Sequence, residues 1–87
     1  MPSFSATTVY WVKAHVSFSE LGSLHGKVAF GEGRAPACSL VPAETTGWYF
    51  SSREHADELA EYAAGRLATD LAGLCAPVEI VTEVCEA

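Results

Sequence analysis

Eighty-seven residues with 49% hydrophobic and only 18% charged side chains specify one domain, 1–87, too apolar for intrinsic disorder and too short for a second core. Eleven acidic against five basic residues give a formal net charge of −6, and the scattered cations argue against direct nucleic-acid binding, which needs a basic footprint. Three cysteines without a CxxC pair exclude a disulfide framework, and no apolar run reaches bilayer length, so the expectation is a soluble cytoplasmic protein without secretory leader or membrane contact.

Residues 7–18 alternate as a β-strand, with Tyr10, Val12, Ala14, Val16 and Phe18 on one side and Trp11, Lys13, His15 and Ser17 on the other. "SELGSLHG", residues 19–26, has turn chemistry around a single candidate for burial, Leu24. "KVAFG", 27–31, reads as a second strand, pairing with the first as an antiparallel hairpin. After the break at "GEGRAP", residues 37–41 read as a third strand ended by Pro42, and "WYF", 48–50, as a short fourth.

Ser51 and Glu54 have the spacing of a capping box. Behind them Ala56, Leu59, Ala60, Ala63, Leu67, Leu71 and Leu74 recur at helical period, predicting a long helix stopped by Ala76–Pro77. A final strand, 78–85, places Val78, Ile80, Thr82 and Val84 on one face and Glu79, Val81, Glu83 and Cys85 on the other. The expected fold is α+β: a single, mostly antiparallel sheet of four to five strands in β-β-β-β-α-β order, with one long helix packed on one face.

Three histidines and three cysteines offer ligand types for zinc but no short-range ligand pair, so no metal or cofactor is assigned. An accessory module binding a metal or small ligand through His15, His25 and a cysteine is the alternative. Cys75 falls at the helix C-terminus, where the dipole disfavours a thiolate, and Cys38 and Cys85 fall in strands. "GEG" is followed by no helix to cradle phosphate. No catalytic set converges, and the reading is non-enzymatic.

Two surfaces stand out as partner-binding. One is the outer sheet face, where Trp11, Lys13 and His15 make an aromatic centre with a charged fringe. The other is the acidic helix ridge of Glu54, Asp57, Glu58 and Glu61. They point to a homodimer, or to an inhibitor or regulator of a larger complex, including one that itself binds nucleic acid through a basic surface. In size and charge, though in no motif, the chain resembles phage- and mobile-element-encoded antagonists such as anti-CRISPR proteins.

Overall fold

The computed structural model describes residues 8–19, 22–73 and 78–87. Their elements are β1 (Tyr10–Phe18), β2 (Gly22–Phe30), β3 (Cys38–Val41), α1 (Arg53–Leu71) and β4 (Val78–Glu86). The four strands form one antiparallel sheet in the order β3-β2-β1-β4, and α1 lies across one face, an α+β fold.

Period-two alternation decides which side of β1 meets the helix. Val12, Ala14 and Val16 are fully buried. Val12, Ala14 and Val28 form the core with Cys38 and the helical residues Ala60, Ala63 and Leu67. Small side chains at Ala56, Ala60 and Ala63, all buried, let the helix axis come close to the sheet. Thr82 on β4 donates its hydroxyl to the Ala60 carbonyl at 2.9 Å, and the Tyr62 hydroxyl donates to the Pro36 carbonyl at 2.6 Å, tying helix to sheet and to the 31–37 segment.

Several local expectations shift. β2 starts at Gly22 rather than residue 27, so "SLHG" is strand rather than turn. Leu24, opposite Val16, is 59% exposed instead of buried, because it lies near the outer end of β2. The segment 48–50 is no strand. Phe50 alone makes a bridge, exchanging both backbone hydrogen bonds with Tyr10 at 2.8 Å. That pairing holds Phe50 to the sheet, and the helix cap falls at Ser52, not Ser51. The Ser52 hydroxyl accepts from the His55 N–H at 3.3 Å, so Glu54 serves the dipole of the first turn and not a capping box. The helix ends at Leu71; Leu74, Cys75 and Ala76–Pro77 lie outside the described residues. No described helix is long and apolar enough to cross a membrane.

β2 divides its pairing. Residues 22–27 pair with β1 and residues 27–30 with β3, so Lys27 is the one position facing both Lys13 and Val41. Beyond it the strands part, and Phe50 takes the place beside Tyr10. The core turns on this divergence, and so does the face described next.

Candidate interaction face

The outer side of the sheet is assembled by register. Lys13 stands opposite Lys27 and Glu83, His15 opposite His25 and Val81, and Trp11 opposite Cys85. Trp11, Lys13 and His15 thus share the face that the alternation of β1 assigns them. Their surroundings differ from one end of the face to the other.

At the Trp11 end the face is closed by the chain itself. Lys27 is 1% exposed, the largest fully buried side chain described. A buried ammonium needs partners for its three donors. Lys27 Nζ donates to the Thr45 carbonyl at 2.6 Å and the Gly47 carbonyl at 2.9 Å. It also lies 4.1 Å from the Tyr49 ring centroid and 5.4 Å from that of Trp11, within cation–π range. The loop between β3 and α1 is shaped to supply this cage. Gly47 at φ 123° is a conformation glycine adopts readily, and Trp48 at φ 57° is left-handed, a strained position for a bulky residue. The Trp48 indole N–H donates to the Phe30 carbonyl at 3.1 Å, which helps hold it there. Trp11 is therefore half-buried, with much of its aromatic surface already engaged inside its own chain.

At the other end the face is open. His15 and His25 are exposed, with ring centroids 6.2 Å apart. Val81 is 56% exposed beside them. Lys13 meets Glu83 at 3.7 Å, and a cavity of about 260 Å³ is lined by Lys13, His15, Val81 and Glu83. His25 belongs to this surface although a turn assignment hid it. Its register with His15 was the missing signal.

Glu54, Asp57, Glu58 and Glu61 are all exposed on the helix, as is every other described carboxylate. The cations do not match them. Lys27 is buried, Lys13 sits on Glu83, and Arg66 Nε donates to Asp70 at 3.3 Å, which leaves Arg34 and Arg53 as the other exposed cations. The accessible surface is thus more acidic than composition alone conveys.

Neither described cysteine joins the histidines. Cys38 is buried on the helix side of the sheet, and Cys85 lies four residues along the strand from Val81, roughly 13 Å at strand rise. No described group of three or more His, Cys, Asp or Glu side chains could hold a metal ion. Burial pushes the Cys38 thiol up from its ordinary pKa, and burial followed by the Glu83 carboxylate pushes up Cys85. A raised pKa leaves less thiolate near neutrality. Peptide-resolved labelling with iodoacetamide is therefore expected to modify both thiols more slowly than free cysteine at neutral pH, with rates rising on the alkaline side. Labelling of either as fast as free cysteine would contradict this.

Comparison with protein-family models, with curated proteins and with solved structures returned no match for this chain.

Proposed function

We propose that the chain is a non-enzymatic, cytoplasmic protein-interaction module that self-associates through the open end of its outer sheet face. Its acidic helix is left to engage a basic partner, as an inhibitor or regulator of a larger complex such as one that binds nucleic acid. The observation that carries this reading is Val81, a large aliphatic side chain left 56% exposed on a sheet face, beside His15 and with a Lys13–Glu83 pair at its flank.

Charge favours face against face over edge against edge. A two-fold pairing of β4 edges about Val81 would set Glu79 of each copy against Glu83 of the other, a like-charge contact that protects edge strands from such growth. Face to face, Lys13 of one copy can instead meet Glu83 of the other, and an isologous interface makes that contact twice. The helix ridge supports the second part. It presents Glu58 and Glu61 beyond the first turn, where the dipole does not account for them, as a row of anions for a basic groove.

Sedimentation equilibrium at micromolar concentration is expected to show a dimer. Val81→Arg should weaken it at least 10-fold, since the substitution buries an unpaired charge at the centre of the contact. A wild-type monomer at these concentrations, or a dimer indifferent to Val81→Arg, would dismiss self-association through this face.

A further inference from the structure

Two histidines that sequence separates by ten positions are direct cross-strand neighbours on the open face. His15 and His25 are both exposed, their ring centroids 6.2 Å apart and their planes inclined at 49°. An imidazole nitrogen binds a zinc-like ion at about 2.0–2.1 Å, which puts two rings sharing one ion about 5–6 Å apart, centroid to centroid. The pair stands just outside that spacing. Both rings are solvent-facing, so modest side-chain rotation closes the difference.

The surroundings suit a cation. On β4, Val81 stands opposite His15, and Glu79 and Glu83 occupy the two diagonal positions, their backbone positions about 7–8 Å from it. Lys13, a neighbouring positive group, is held against Glu83 at 3.7 Å. We propose that His15 and His25 form a two-imidazole clamp for a divalent transition-metal ion of the zinc or nickel class, with water completing the shell. Imidazole selects such ions over magnesium and calcium, which prefer oxygen ligands. Neither described cysteine, Cys38 or Cys85, takes part, and both imidazoles come from one chain. It needs no second copy, although His15 borders the contact proposed for self-association.

The test is titration of the metal-stripped full chain with zinc chloride, followed by calorimetry and by the imidazole resonances of all three histidines. The expected result is saturable binding that moves the His15 and His25 signals together and leaves His55 in place. His15→Ala and His25→Ala should each weaken binding at least 10-fold, while His55→Ala and Cys85→Ser leave it unchanged. Both clamp histidines are exposed, so circular dichroism of the two alanine variants should match wild type; should either fail to fold, the wild-type resonances still decide. Absence of saturable binding, binding undiminished in either clamp variant, or loss in Cys85→Ser would overturn the proposal. Sedimentation with and without chelator separates it from the dimer, which is expected to persist when metal is removed.

Discussion

Lys27→Ala is expected to lower the free energy of unfolding by about 2–4 kcal/mol, the range of a large buried side chain truncated with loss of its hydrogen bonds. Lys27 fills the opening where β2 leaves β1 for β3, and both carbonyls it serves belong to the loop that covers that opening. Truncation removes the cation from the Trp11 and Tyr49 rings and leaves the Thr45 and Gly47 carbonyls without their donor. Lys27→Met keeps most of the volume but loses the ammonium, its two hydrogen bonds and its ring contacts, so about 1–3 kcal/mol is expected, chiefly from the carbonyls left unsatisfied. Urea denaturation followed by tryptophan emission reads both effects, because Trp11 and Trp48 flank the site. For a domain this size each kcal/mol shifts the melting temperature by roughly 4–8 °C. Both variants within about 0.5 kcal/mol of wild type, the range of ordinary surface substitutions, would show that the buried ammonium does not organise the loop.

Gly26→Val is expected to cost about 1–3 kcal/mol, and more if β3 detaches. The reason is contact rather than backbone conformation. A Cβ on Gly26 would run into the Val41 carbonyl, which is main chain and cannot rotate away. β3 is a four-residue edge strand held to β2 by the pairs from Lys27–Val41 to Phe30–Cys38, so a push at Val41 acts on the end of that ladder. Hydrogen exchange should therefore accelerate most in β3 and least in the β1–β4 pair. Gly65→Ala is the matched control. It lies on α1 with nothing within 4 Å of a new Cβ, and helix propensity predicts a gain of about 0.5–1 kcal/mol. A Gly26→Val protein as stable as wild type, with β3 exchange unchanged, would show that the two backbones do not need this approach.

Periodicity carried the elements that local sequence can encode. The alternation of Val12, Ala14 and Val16 assigned the two faces of β1, and the spacing of Ala56, Ala60, Ala63 and Leu67 marked the buried stripe of α1. Both signals work because burial repeats at the period of the element. Where residues mix strand and turn preferences, the reading slipped. "SLHG" looks like a turn until the register with β1 makes it strand, and "WYF" has strand propensity yet contributes one bridge at Phe50.

The α+β class and the outward placement of Trp11, Lys13 and His15 were settled by the chain's own order of residues. Tertiary structure alone decided that Lys27 is buried, since its partners Thr45 and Gly47 lie 18 and 20 positions away and accept through backbone carbonyls, which carry no side-chain signature. It also decided that Trp11 is partly occupied inside the chain, while His25 joins His15 on the open face. Alternation tells which side of a strand a residue takes. What covers that side depends on register and on where a distant loop returns, and neither is written in local period.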